Sequence, residues 1–260
     1  MTKDEILSKL KTGDLQGADL TKASLKKEDL SDGRFKGAKM SRAALRKSKL
    51  VGADLSGVDL SMADLGDTDL SGANLSGANL TGASLKNAVL TGANLFGIQA
   101  KDAVFTGAKC KDTDFSKADL TEAALDKTVI ENATFENAIL KLADGTDSEL
   151  VNVTLEGADL TECCFQNCRI EKVNAQNIKG KAADFSLSSI SDTTFAKAEL
   201  QDADFANTLL EQVDFTGADL KNGLFNVSEQ KDVRFDQAQI DGASFKSVSG
   251  YTEAEVLAFK

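Results

Sequence analysis

The sequence predicts an all-β solenoid, a chain that turns a corner every five residues and stacks coil upon coil. Three observations carry this. Of the 47 positions from Leu15 to Phe245 whose number is a multiple of five, 41 are Leu, Ile, Met or Phe. The positions two residues earlier are Ala, Gly, Ser, Thr, Cys or Val nearly throughout, with Glu28, Ile98 and Ile178 the bulkier ones. The residue two after the large one is often Gly, Asn or Asp, as at Gly52, Gly57, Gly72, Gly77, Gly82 and Asn87. A type II turn requires positive φ at its third residue, and Gly or Asn meets that requirement.

A period of five suits neither an α-helix at 3.6 nor a flat strand at 2. An apolar residue at every fifth position would wander round a helix and form no stripe. It does suit a five-residue side that points one large and one small residue inward, two apart as on a strand. The columns keep one phase from residue 13 to residue 247. Segments such as Ala73-Asn74-Leu75-Ser76-Gly77, Ala78-Asn79-Leu80-Thr81-Gly82 and Ala158-Asp159-Leu160-Thr161-Glu162 resemble the A-(D/N)-L-x-x signature of pentapeptide-repeat proteins. The resemblance implies a right-handed quadrilateral parallel β-helix with four pentapeptides per coil. That means about twelve coils, on the order of 55 Å at about 4.8 Å per stacked strand. The expected organisation is a capping helix at 1–12, one continuous solenoid at 13–249 and a terminal helix at 250–260.

Open solenoid ends expose strand edges and core, so both ends need covering. Thr2 and Glu5 have the spacing of a capping box and precede Ile6, Leu7 and Leu10, which predicts a short amphipathic helix. Thr252 and Glu255 repeat the spacing before Val256, Leu257 and Phe259, beside Tyr251. This predicts a second helix, and known family members imply a homodimer through it, with Tyr251, Val256, Leu257 and Phe259 as contacts. Inside the array, Ala100 pairs with Ile98, Ala175 with Val173 and Gly180 with Ile178. Large and small have exchanged places at roughly constant volume, which a close-packed core tolerates. Gly145 and Gln230 lack such compensation. They predict bulges near 142–147 and 226–231, with Leu142 and Val227 tucking inward.

The composition narrows the function. There is no His among the 260 residues, which removes the commonest general base and neutral metal ligand. Ser, Thr and Asp recur as outward repeat positions, so their proximity carries no catalytic signal. Cys163 and Cys168 fall in the small inward column and Cys110 in the large one, where thiols pack as small hydrophobes; only Cys164 points out. Zinc wants four ligands, and this set does not supply them. No enzyme, metal or cofactor is expected. With no apolar leader, no apolar run of spanning length and four cysteines, the reading is cytoplasmic, with no membrane partner.

Charge is segregated. Residues 22–49 hold ten bases and three acids; residues 71–100 hold one charge, Lys86; residues 101–260 hold 29 acids and 16 bases. The net charge of −11 argues against direct nucleic-acid binding. The candidate basic patch is Lys22, Arg34, Lys39, Arg42, Arg46 and Lys49, and the candidate acidic surface is Asp184, Glu199, Asp204, Asp214 and Asp219. Val89, Phe96, Val104, Val129, Ile139, Leu209 and Leu224 are apolar in outward columns. Of these, Val89, Val129 and Leu209 differ by multiples of 20, a candidate stripe. The expected function is a non-enzymatic scaffold that presents this charge-segregated surface to a protein partner. The alternative, implied by the family resemblance, is mimicry of DNA towards a type II topoisomerase such as gyrase, with protection from quinolone-type poisons.

Overall fold

The computed structural model describes residues 1–12 and 14–250. The expected C-terminal helix, with Tyr251, Val256, Leu257 and Phe259, lies outside the described residues. The chain divides into two compact units, Met1–Val129 and Ile130–Lys260, and each is a parallel β-solenoid.

One repeat shows why the pattern folds this way, because all five of its backbone N–H groups are accounted for. In Ala73-Asn74-Leu75-Ser76-Gly77, the Ala73 N–H closes the preceding corner onto the Leu70 carbonyl (3.0 Å). Asn74 donates to Ala53 in the coil before (2.9 Å), while Leu75 and Gly77 donate to Asn94 and Phe96 in the coil after (2.7 and 2.9 Å). The Ser76 N–H is taken by the Asn74 side chain, through Oδ1 at 3.1 Å. Buried backbone donors left unpaired are costly, so this closure makes the repeat self-consistent. Parallel bridges link residues twenty apart, as in Asp19–Lys39–Asp59 or Asp159–Lys179–Glu199–Asp219; four five-residue sides therefore make one coil.

Most sides are too short to be more than single bridges. The longer strands are β1 (Lys109–Lys111) and β2 (Val129–Glu131), followed in the second unit by β3 (Glu149–Val151), β4 (Arg169–Glu171), β5 (Ser189–Ser191), β6 (Leu209–Glu211) and β7 (Glu229–Lys231). From β3 to β7 each strand pairs in parallel with the next, in register at twenty residues. Their central residues point inward.

The corner geometry extends well beyond Gly and Asn. The second corner residue has positive φ whatever its identity: 58° at Lys22, 57° at Leu142, 63° at Leu187 and 59° at Val227. Two ladder hydrogen bonds flanking each corner impose this conformation on side chains that disfavour it.

The helix α1 (Lys3–Thr12) carries the capping box: Thr2 N–H to Glu5 Oε2 at 2.8 Å and Glu5 N–H to Thr2 Oγ1 at 3.3 Å. Ile6 is buried, and Leu10 reaches over Gly33, where an added Cβ would stand 2.9 Å from its Cδ1. Lys3 pairs with Glu28, which explains why the small inward column tolerates a glutamate there.

The exchanged pairs are buried as expected: Ile98 with Ala100, Val173 with Ala175, and Ile178 beside Gly180. The expectation of bulges at Gly145 and Gln230 is corrected. The turn-and-bridge pattern runs through both places without interruption. Leu142 and Val227 do not tuck in; they are 53% and 58% exposed, because the left-handed corner turns its side chain away from the core. At Gly145 the missing volume comes from the next coil. The Phe165 ring leans into it, and a Cβ on Gly145 would lie 2.2 Å from Phe165 Cε1. Gln230 keeps its inward place, 4% exposed, its Nε2 donating to Ser228 Oγ at 3.1 Å.

The core of the second unit becomes aromatic. Phe185, Phe205, Phe225 and Phe245 stack at centroid separations of 5.1, 5.0 and 4.8 Å, and Phe195, Phe215 and Phe235 at 5.2 and 5.3 Å. The two ladders meet edge to face at 5.3–5.7 Å. Both arrangements are favourable for ring quadrupoles.

Candidate functional site

The outer surface is what this fold leaves available, and much of it is committed to folding. The Asp or Asn between the small and the large residue accepts the N–H two residues on, forming an Asx-turn. Asp184 takes Ser186 (2.9 Å), Asp204 takes Ala206 (2.8 Å), Asp214 takes Thr216 (2.9 Å) and Asp219 takes Lys221 (3.2 Å). Four of the five acidic candidates are thus half-buried turn formers; Glu199 alone is fully exposed. They do not share one side. Asp184 and Asp204 bridge each other, Glu199 bridges Asp219, and Asp214 bridges Arg234. Asp214 is ion-paired to Arg234 at 2.6 Å and Asp219 to Lys221 at 3.6 Å. The residue signature was legible in the sequence, but its role in the backbone was not.

The same contacts hold carboxylates low. Asp19, Asp29 and Asp54 are kept below the ordinary aspartate range chiefly by the hydroxyls of Thr21, Ser31 and Ser56, and Asp67 by the Asn87 amide with Arg46 adding to it. A pKa depressed by folding contributes stability that is present above the unfolded pKa and is lost as pH falls through the folded one. The urea midpoint should therefore be nearly flat from about pH 7 to about pH 5 and fall below about pH 4. A midpoint unchanged down to about pH 2 would contradict the Asx-turn assignment.

The basic candidates form a belt and not a patch. All six are exposed, but they occupy different sides and corners. Lys39 lies between Asp19 and Asp59 in its ladder, Lys49 between Asp29 and Asp69, and Arg34 beside Asp54. Arg46 reaches Asp67 at 2.6 Å. Lys22 and Arg42 adjoin along one corner, with Lys22 donating its N–H to Ser41. The positive charge is alternated with negative charge on the flat sides and stands out at the corners.

Val89 and Val129 are not neighbours. In the first unit Val89 bridges Asp69 and Lys109, and the Val129 N–H reaches Ala108 across from Lys109. In the second, Leu209 sits between Ser189 and Glu229. Leu209 is instead part of an apolar corner with Leu187 (56% exposed), Leu224 (39%) and Val227 (58%). Reading columns one at a time hid this grouping, which spans two sides and the corner between them.

Cys110, Cys163 and Cys168 are buried and unpaired, Cys164 half-buried. Burial pushes the Cys110 and Cys168 thiols up to about 12 and Cys163 well above its ordinary value. A thiol reagent at neutral pH should label one cysteine, Cys164, in the native protein and all four in denaturant; rapid labelling of a second native thiol would contradict this packing. Among the described residues no group of three or more Cys, Asp or Glu is placed to hold a metal ion. No helix among them is long and apolar enough to cross a membrane.

A parallel β-solenoid with an Asx-locked five-residue side defines a repeat protein whose inward columns pack and whose outward columns face solvent. The pentapeptide-repeat model matches stretches between residues 13 and 174, and the pentapeptide repeat region model matches 158–245. The chain belongs to the pentapeptide-repeat family. It is similar to the crystal structure of HetL, a pentapeptide repeat protein involved in heterocyst differentiation regulation in the cyanobacterium Nostoc sp. strain PCC 7120, at 23% identity and TM-score 0.40 over 96% of this chain and 94% of that one. A pentapeptide repeat protein of the Arabidopsis thaliana thylakoid lumen matches at 32% identity and TM-score 0.32, over 40% of this chain and 69% of its own. QnrB1, a plasmid-mediated fluoroquinolone resistance protein, matches at 16% identity and TM-score 0.27 over 92% and 96%. No curated protein is a significant match.

Proposed function

We propose that this protein is a non-enzymatic interaction scaffold that presents its outer surface to a protein partner. One observation carries the reading: the polar side chains that could do chemistry are occupied by folding, while the residues that folding does not use stand outward at corners. The Asp and Asn oxygens between the small and the large residue are engaged by turn amides, and three of the four thiols are buried and protonated. What remains includes the basic corner residues Lys22 and Arg42 in the first unit and the apolar corner residues Leu187 and Val227 in the second. Four unpaired cysteines support a reducing, cytoplasmic setting. In this reading α1 lids the first coil, some twelve coils form the array, and the C-terminal residues are the candidate homodimer contact.

The test is affinity capture by the immobilised full chain at low and high salt, followed by reconstitution with the purified captured protein. A saturable complex of fixed stoichiometry is expected. Binding that salt abolishes assigns the basic corners, since exposed charges are screened over about a Debye length; binding that survives salt assigns the apolar ones. Failure to find any stoichiometric partner would count against the scaffold.

The second reading, mimicry of DNA towards a type II topoisomerase, draws on the Asp184–Asp204 pair in register and on the acidic balance of residues 101–260. Ion pairing of Asp214 and Asp219, and the spread of acids over three sides, weigh against it. A gyrase supercoiling assay with micromolar protein is expected to show no inhibition and no protection from a quinolone; either effect would favour the mimic.

A further inference from the structure

Ten large hydrophobic residues among those described are exposed, and six of them are in the second unit: Ile139, Leu142, Leu187, Leu209, Leu224 and Val227. Four of the six lie on one corner or on the two sides that flank it. The Leu187 N–H donates to Ala206 (3.0 Å) and the Asn207 N–H to Asn226 (2.9 Å), which places Leu187, Asn207 and Val227 one above another in successive coils. Leu209 follows Asn207 by two residues on the side after the corner, and Leu224 is the bridge residue on the side before the turn that contains Val227. Two strand spacings, about 10 Å, separate Leu187 from Val227. Scattered exposed hydrophobes need no explanation; a cluster does.

Two of the four residues are also held where their backbone disfavours them. Leu187 and Val227 have φ of 63° and 59°, and a β-branched residue is especially poor there. Asn and Gly occupy equivalent corners elsewhere at lower cost. Leu142 and Met62 sit at other corners with φ of 57° and are also exposed, so it is the clustering of four hydrophobes, and not the φ alone, that sets this corner apart. Carboxylates outnumber bases around the corner, where the basic group is Lys246, whose carbonyl takes the Val227 N–H at 2.8 Å. Asp184 and Asp204 lie directly below Leu224 in its ladder, and Glu229 adjoins Leu209. None of these three has an ion-pair partner among the described residues, whereas Glu211 close by is taken by Lys231; Asp184 accepts the Ser186 N–H on Oδ1 at 2.9 Å and the Gln166 amide on Oδ2 at 2.6 Å and keeps its charge.

We propose that this corner docks a basic, amphipathic segment of another protein, its apolar side chains on Leu187, Leu209, Leu224 and Val227 and its Lys or Arg groups against Asp184, Asp204 and Glu229. The proposal rests on the scaffold reading and adds to it the surface and the chemistry of the partner. The decisive variant is L187N/V227N, because Asn suits both left-handed corners and the protein should be at least as stable as the parent. Methyl-resolved NMR of the full chain is titrated with a synthetic amphipathic Leu/Lys peptide and, as a charge control, its Leu/Glu counterpart. Expected are shifts centred on Leu187, Leu209, Leu224 and Val227 with the Leu/Lys peptide, none with Leu/Glu, and affinity at least about tenfold weaker for L187N/V227N. Equal affinity of parent and variant, or shifts centred elsewhere, would overturn the corner. Sedimentation of the parent as a dimer that L187N/V227N abolishes would overturn the choice of partner in favour of a second copy. A stoichiometric partner captured equally by parent and variant would remove the corner and leave the scaffold reading standing.

Discussion

Phe205→Ala is expected to destabilise the second unit by about 3–5 kcal/mol, the usual range for a buried aromatic truncated to Ala. The ring is fully buried and touches four others: Phe185 and Phe225 stacked at 5.1 and 5.0 Å, Phe195 and Phe215 edge-on at 5.7 and 5.3 Å. Parallel strands fix the coil spacing through the backbone, so the neighbouring rings cannot close over the hole without breaking their ladders. The cost should lie near the top of the range. Urea denaturation followed by circular dichroism reads it as a lowered midpoint. A loss under about 1 kcal/mol would mean that the coils collapse freely and that the aromatic ladders are not what holds them.

The second large effect runs against the repeat pattern. Gly145 occupies a position where nearly every equivalent residue is a large hydrophobe, so Gly145→Leu looks like a repair. The structure makes it damaging, because the Phe165 ring already fills the space, with its Cε1 and Cδ1 2.2 and 2.4 Å from where a Cβ would stand. Overpacking of this kind costs about 1–3 kcal/mol or more. The partner change Phe165→Leu should reverse it, since G145L/F165L rebuilds the Leu-over-Leu stacking of Leu75 and Leu95. A coupling of about 1–3 kcal/mol is expected in the double-mutant cycle. Additive effects would show that the ring and the glycine do not share a volume.

These two cases show what a column of letters conveys and what it hides. Leu75, Leu95 and the other large residues announced the solenoid because the five-residue period needs only chain geometry. The exchange of Ile178 with Gly180 was also legible, being local in sequence. The Phe165–Gly145 exchange crosses coils and becomes visible only when residues twenty apart are compared. Leu142 and Val227 were misjudged because volume was weighed without direction: the corner's positive φ sends the side chain outward whatever the size of the hole beside it. In the sequence alone the acids stand out only as surface charge. At Asp184, Asp204, Asp214 and Asp219 the carboxylate first serves the turn amide, and its outward charge follows from that role. The apolar corner is not visible in any one column, because Leu187 and Val227 share one twenty-residue ladder while Leu209 and Leu224 belong to two others.

The same amide bonds give the most direct test of the claim that the repeat's Asp and Asn are parts of the backbone scheme before they are surface charge. Residue-resolved hydrogen exchange compares amides that follow an Asx acceptor, Ser56, Ser116, Thr161 and Thr216, with those at the same repeat position after Ala44, Val104 and Leu224, namely Arg46, Thr106 and Asn226. The account predicts that the first group is protected and that the second exchanges quickly from within equally stable coils. Equal exchange rates in the two groups would contradict it.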